Sequence, residues 1–160
     1  MTYKHLLKSS KALGAYATPY MRVGGRNIYP PPLCATLQTD GSFYSSTKRS
    51  RVAFILETPS KEQAYRRMFD IKDAVSSTEV EWVSIFTGME YALEMGQEAI
   101  NVENDNLGVV GALIMPKIKP KHDYQQYYQH KIQKLAERSA WTGIRWIPRE
   151  QNKADMLFRV

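Results

Sequence analysis

Between Leu33 and Ile71 the apolar positions fall in three short runs separated by turn-forming residues. The first, Leu33 to Thr39, ends on Asp40-Gly41-Ser42, which predicts a strand followed by a turn. The second, Arg51 to Glu57, carries Val52, Ala53, Phe54, Ile55 and Leu56 without a polar interruption. That is the pattern of a strand buried on both faces. Thr58-Pro59-Ser60 breaks it, and Gln63 to Ile71 supplies a third, more polar strand. Connections this short make the three strands an antiparallel meander.

The period then changes. Trp82, Ile85, Phe86, Met89 and Leu93 recur at i, i+3, i+4, i+7 and i+11, one face of a helix. Ser76, Ser77 and Thr78 offer N-caps, and Gly96 is placed to stop it. Ala99 to Val102 reads as a short buried strand, followed by Asn104-Asp105-Asn106 and a small helix from Leu107 to Met115. Pro116 and Pro120 punctuate a lysine-bearing loop. A longer helix places Tyr124, Tyr128, Ile132 and Leu135 on an apolar stripe, with Tyr127, Lys131, Lys134 and Arg138 on another side. Gly143 to Pro148 is a last strand, and a final helix starts at Asn152. The order βββ-α-β-α-α-β-α predicts an α/β fold: a five-stranded mixed sheet flanked by helices, three strands antiparallel and the later ones parallel.

Ahead of the first strand, Tyr20 to Tyr29 has two extended segments around Gly24-Gly25, a candidate hairpin. Pro30-Pro31-Pro32 then forces an extended linker. The expected organisation is a basic N-terminal arm, 1–32, and a compact domain, 33–160.

A chain of 160 residues, 43% hydrophobic and 24% charged, is the size and composition of one globular domain. No apolar run approaches the ~20 residues of a membrane helix, so no membrane partner is expected. No stretch of about 7–15 apolar residues follows the first lysines, which argues against a secretory signal. Cys34 is alone, which excludes an intrachain disulfide and suggests a reducing, intracellular (cytoplasmic) setting. The net charge of +6 is uneven: residues 1–39 hold Lys4, Lys8, Lys11, Arg22 and Arg26 and no acid. Such an arm suits a polyanion, because phosphate contacts release condensed counterions. A solvated tail is the alternative.

Four acids stand at element ends. Asp40 closes the first strand, Asp105 the fourth, and Glu81 and Asp155 sit in the first turns of the first long helix and the last. Two-metal phosphodiester chemistry needs several carboxylates converging on one small volume, and magnesium prefers such hard oxygen ligands. Each acid also has a local reading. Asp40 suits a turn, Glu81 a capping box with Thr78, Asp105 a helix cap, and Asp155 the positive end of a helix.

The motifs around these acids resemble a known family. Thr39-Asp40-Gly41-Ser42 is similar to the strand-end Asp-Gly-Ser of type 1 ribonucleases H. Val80-Glu81-Trp82 through Ala92-Leu93-Glu94-Met95-Gly96 resembles the family's Ala-Glu-Tyr to Ala-Leu-Glu-Leu-Gly helix, best in its plant and archaeal-like branch. Val102-Glu103-Asn104-Asp105-Asn106 is similar to Val-x-Gly-Asp-Ser. Ile147-Pro148-Arg149-Glu150-Gln151-Asn152 and Ala154-Asp155-x-Leu157 resemble the terminal Val-Pro-Arg-Glu-x-Asn and Ala-Asp-x-Leu.

The resemblance implies a ribonuclease H-like fold and an endonuclease that cuts the RNA strand of RNA/DNA hybrids with two Mg²⁺ ions, Mn²⁺ able to substitute. Asp40 would bridge both ions, Asp155 would complete the site that activates water, and Glu81 and Asp105 would hold the second ion. It further implies nucleic-acid contacts from Gly41, Ser42, Ser77, Thr78, Asn106 and Arg149. Lys117, Lys119, Lys121, Lys131, Lys134 and Arg138 resemble the basic connector that grips the DNA strand in some relatives. A monomer is expected, working alone or beside a reverse-transcription or replication complex. Trp146 stands where many relatives carry a mobile histidine, leaving Arg149 or His122 to take its role. Ser77 and Thr78 stand where the family often has an asparagine pair. A resolvase-like DNA nuclease or a non-catalytic nucleic-acid-binding module are the alternatives.

Overall fold

The apolar run Val52–Leu56 forms the heart of a strand that is buried on both faces, as its pattern predicts. Val52, Phe54 and Leu56 meet a helix layer on one side, while Ala53 and Ile55 meet Ala154, Leu157 and Phe158 on the other. The computed structural model describes residues 17–159. Lys4, Lys8 and Lys11 of the basic arm lie outside them.

The elements are β1 (Met21–Gly24), β2 (Ala35–Tyr44), β3 (Arg49–Glu57), β4 (Ala64–Ile71), α1 (Ser77–Glu94), β5 (Ala99–Asn104), α2 (Leu107–Ile114), α3 (Asp123–Glu137) and β6 (Trp141–Trp146). Two 3-10 segments, Arg149–Gln151 and Lys153–Arg159, follow. The sheet order is β1-β6-β5-β2-β3-β4. β2, β3 and β4 form the expected antiparallel meander, and β2, β5 and β6 run parallel.

The sheet therefore has six strands among the described residues, not five. The expected hairpin around Gly24-Gly25 does not form. Met21–Gly24 instead pairs antiparallel with β6, whose backbone would otherwise end the sheet unpaired. Gly25, at φ 118°, then turns the chain away, and the amides of Arg26 and Asn27 bond the carbonyls of Ser139 and Ala140. Part of the supposed arm thus belongs to the body of the domain, which begins ahead of Leu33.

Three other boundaries move. β2 continues to Tyr44, so Asp40, Gly41 and Ser42 lie inside a strand rather than in a turn. α1 is capped by Ser76, whose Oγ accepts from the Glu79 amide, while Glu79 Oε2 accepts from the Val75 amide. Ser76 and Glu79 do the capping, so the Glu81 carboxylate, two residues on, is not used as a cap. The last segment is 3-10 rather than α-helical. Gly96, at φ 84°, ends α1 as expected, with its amide on the Leu93 carbonyl.

The core lies between the sheet and the three helices. Trp82, Ile85 and Met89 of α1 pack on Leu37 and Phe54 of the sheet, and Ile132 and Leu135 of α3 join them. Each such side chain contributes roughly 1.5–3 kcal/mol on burial. The Trp82 indole N–H donates to Gln125 Oε1 at 3.1 Å, tying α1 to α3. No helix among the described residues is long and apolar enough to cross a membrane.

Candidate active site

The β2–β5 register brings two of the acids together. Gln38 pairs with Glu103 in this parallel ladder, and side chains two residues on share a face. Asp40 and Asp105 therefore project side by side beyond the end of β5. Glu81 reaches them from α1 because Gly41 lets that helix settle onto β2. The Gly41 amide donates to Glu81 Oε1 at 2.7 Å and to Asp40 Oδ1 at 2.9 Å. Asp40, Glu81 and Asp105 each offer a carboxylate oxygen within 4.8 Å of the others.

Two asparagines hold this arrangement. Asn104, fully buried, donates from Nδ2 to Glu81 Oε2 at 3.0 Å and to the Thr39 carbonyl and hydroxyl. Asn152, also buried, donates to the Thr39 carbonyl at 2.8 Å, and its Oδ1 accepts from the Ala154 amide. The Lys153 amide donates to Gln38 Oε1 at 2.9 Å. The 3-10 segment carrying Asp155 is thereby pinned to β2. Neither asparagine was singled out by sequence reasoning as a site residue. The available signal was their placement one and three residues before an acid.

Behind the acids lies a second polar cluster. Glu103 accepts from Tyr20, Gln38 and Arg145, and the Tyr20 ring lies 4.4 Å under the Arg145 guanidinium. Burial works against this carboxylate, but those hydrogen bonds and the arginine charge outweigh it and hold Glu103 below its ordinary range. This cluster joins the Tyr20 segment to β2, β5 and β6.

Asp155 is apart from the converging trio. It lines the same cavity of about 550 Å³, but its carboxylate pairs with Arg159 at 2.8 Å and Arg149 at 3.8 Å. Ser42 and Ser77 also line that cavity. Thr78, Asn106, Lys119 and Lys121 line a neighbouring groove of about 800 Å³ with an apolar floor from α2. Asn106 spends its Oδ1 on capping α2 through the Val109 amide. Lys117 is exposed on the loop outside that lining. The α3 stripe stays away from the acids: Lys131 lies over the Phe86 and Tyr127 rings, Lys134 pairs with Glu137, and Arg138 is exposed. Of the two candidates for the histidine's role, Arg149 lines the acid cavity. His122 lies in the groove, stacked on Tyr124.

Burial pushes Asp40 up to about 7, and the charges of Asp105 and Asp155 add to it against the Gly41 and Glu81 hydrogen bonds. Glu81 is also raised, by burial and then by the charge of Asp40. Asp105 is raised chiefly by burial. Both basic groups at the cavity pair with Asp155, and the Arg149 charge also acts on Asp105, against the rise that burial causes there. A set of oxygen donors this close, and this costly to ionise together, fits a hard divalent cation.

Two measurements check this. Because the folded-state value of Asp40 lies above its ordinary one, the associated stability is complete below about pH 4 and is lost as pH rises through 7. Without metal, the melting temperature is expected to fall between about pH 5 and pH 8, and magnesium to restore it at the upper end. A metal-free melting temperature that rises across that window would contradict the geometry. Replacing Asn104 by alanine is expected to cost about 1–3 kcal/mol in urea unfolding. Manganese affinity should weaken about 10–100-fold by calorimetry, because Glu81 loses its orienting donor.

A family model described as reverse transcriptase-like matches residues 38–157, which include all four acids. The chain belongs to this reverse transcriptase-like family. No curated protein matches the sequence. Solved structures show the fold, which is ribonuclease H-like. The N-terminal ribonuclease H domain of Rv2228c from Mycobacterium tuberculosis superposes with a TM-score of 0.70 at 20% identity, covering 78% of this chain and 90% of that one. Ribonuclease H1 from Halobacterium salinarum gives 0.70 at 18% identity, covering 77% and 92%. LC11 ribonuclease H1, solved in complex with an RNA/DNA hybrid, gives 0.66 at 19%, covering 77% and 92%. In this reverse transcriptase-like chain the fold gathers three of the four acids, Asp40, Glu81 and Asp105, into a cluster that could hold a metal.

Proposed function

We propose that this chain is a ribonuclease H-type endonuclease that hydrolyses the RNA strand of RNA/DNA hybrids with two divalent metal ions, magnesium or manganese. The observation that carries the reading is the convergence of Asp40, Glu81 and Asp105 from three separate elements on one small volume. Carboxylates repel one another, so a fold that forces them together in a half-closed cavity spends stability on a counter-ion site.

When bound, the metal pair supplies an ionised water and a counter-charge for the leaving oxygen. Asp40, Glu81 and Asp105 would hold it, and Asp155 would complete the set after turning its carboxylate from Arg159. That turn leaves Arg149 and Arg159 at the cavity edge to meet strand phosphates. Ser42, Ser77 and Thr78 are placed to contact the sugar edge of the strand being cut. Gly41 contributes by its close backbone approach. Lys119 and Lys121 would meet phosphates of the second strand along the neighbouring groove, with Lys117 on the same loop. The LC11 enzyme's complex with an RNA/DNA hybrid supports that choice of substrate.

The test is incubation of the purified chain with labelled RNA/DNA hybrid, duplex DNA, duplex RNA and single strands, with magnesium or manganese. Cleavage of only the hybrid's RNA strand, leaving 5′-phosphates, is expected. Cleavage of DNA instead would replace the reading by a resolvase-like one. Hybrid binding with no cleavage under either metal would make the chain a binding module.

A further inference from the structure

The strand that carries Asp40 extends beyond it. Asp40, Ser42 and Tyr44 alternate along β2 and share one face, with Tyr44 about 13 Å from Asp40 at the rise of a strand. Tyr44 is 52% exposed, yet it lines the same cavity as the acids. Among the described residues its hydroxyl meets no hydrogen-bond partner and its ring meets no other ring.

A second ring lines the cavity from the 3-10 segment. Phe158 packs beside Ala53, Ile55 and Ala154, and the guanidinium of the buried Arg51 lies 5.3 Å from its centroid. Arg51 also donates to the Phe158 carbonyl at 3.5 Å, so this ring is fixed from behind. The cavity thus has an acidic floor, aromatic walls from Tyr44 and Phe158, and Arg149 and Arg159 at its edge.

We propose that Tyr44, with Phe158 across the cavity, is a stacking platform for an unpaired base of the strand being cut, the two arginines taking its phosphates. The inference rests on the nuclease reading above. A phosphate placed over the acids brings its strand past Tyr44, and an exposed aromatic ring gains most by covering a base face. In a continuous duplex those faces are already covered by neighbouring pairs. The platform therefore favours hybrids that end, are gapped or carry a single-stranded extension near the cut.

The test uses a hybrid with a single-stranded extension containing 2-aminopurine, and a blunt continuous hybrid, with calcium in place of magnesium. Wild type and Tyr44→Phe are expected to quench the probe. Tyr44→Ala is expected to leave it bright and to bind the extended hybrid about tenfold more weakly, with its affinity for the blunt one unchanged. Equal quenching by Tyr44→Ala, or equal loss on both hybrids, overturns the platform. If wild type cuts hybrid in magnesium while Tyr44→Ala matches it in every arm, only the platform falls. If wild type neither binds nor cuts any hybrid, the nuclease reading falls and takes the platform with it.

Discussion

Replacing Asp40 by asparagine is expected to abolish cleavage and, in the same protein, to raise the melting temperature without metal. Activity should drop by a factor on the order of 10⁴, the scale on which removing one member of a catalytic unit acts. Stability should move the other way. Asp40 is 6% exposed and is pushed up to about 7 by burial and by Asp105 and Asp155, so ionising it at higher pH works against folding. That displacement bounds the gain at about 4 kcal/mol. Glu81 and Asp105 share the repulsion, so about 2 kcal/mol is the expected value, or about 4–8 °C at this size. Asparagine keeps the shape and still accepts the Gly41 amide. Magnesium, which should stabilise the wild type, should then leave the variant's melting temperature unmoved. A variant less stable than wild type at pH 8 without metal would mean that the acids are held by some favourable interaction and are not a strained ion site.

Gly41→Ala is expected to damage stability and activity together. A Cβ at Gly41 would lie 2.8 Å from both the carbonyl carbon and Cγ1 of Val80, and 3.0 Å from the Glu81 amide nitrogen. Two of those atoms are backbone, so relief requires α1 to lift from β2. Overpacking of this kind costs about 3 kcal/mol. Lifting α1 also withdraws Glu81 from Asp40, and a displacement near 1 Å costs on the order of 10² in rate. Urea unfolding and hybrid cleavage measure the two effects. Gly108 is the stability control, since a Cβ there meets nothing closer than Asn106 Oδ1 at 3.5 Å. Gly108→Ala should be neutral or stabilising by up to about 1 kcal/mol. Equal stability of the two variants would show that α1 does not rest on Gly41.

Both predictions depend on a contact that sequence patterning shows only in outline. Asp40-Gly41-Ser42 has the composition of a turn, and local rules assign it one. In the fold the segment continues as strand, because β3 pairs with β2 as far as Tyr44 and Arg49. The glycine's function is to let a helix approach, which no local rule contains. The spacing Thr78 to Glu81 likewise mimics a capping box, but Ser76 and Glu79 do the capping. Resemblance to ribonucleases H pointed to Glu81 through motif register rather than through helix-end chemistry, and the fold sets it beside Asp40 and Asp105.

Asp155 shows what the motif reading left out. Its motif is present and its segment is pinned beside β2 by Asn152 and Gln38. Arg159, four residues on, holds its carboxylate in an ion pair. That partner lies past the recognisable motif, and its meaning depends on the 3-10 winding that brings the two side chains together.

What the chain determined by itself was set by short-range periodicity. The double-sided burial of β3, the apolar face of α1 from Trp82 to Leu93, the stripe of α3 and the stop at Gly96 all follow from side chains spaced to face one layer. The alternation of strands and helices was enough for a mixed α/β sheet. Tertiary structure alone decided that Met21–Gly24 joins β6, because an exposed strand edge is satisfied by whichever extended segment reaches it. It alone also brought Asp40, Glu81 and Asp105 within 4.8 Å, through a parallel register between strands that are far apart in sequence and a helix seated on a missing Cβ. Those distances depend on how the layers pack, and the spacing of residues along a chain carries no direct record of that.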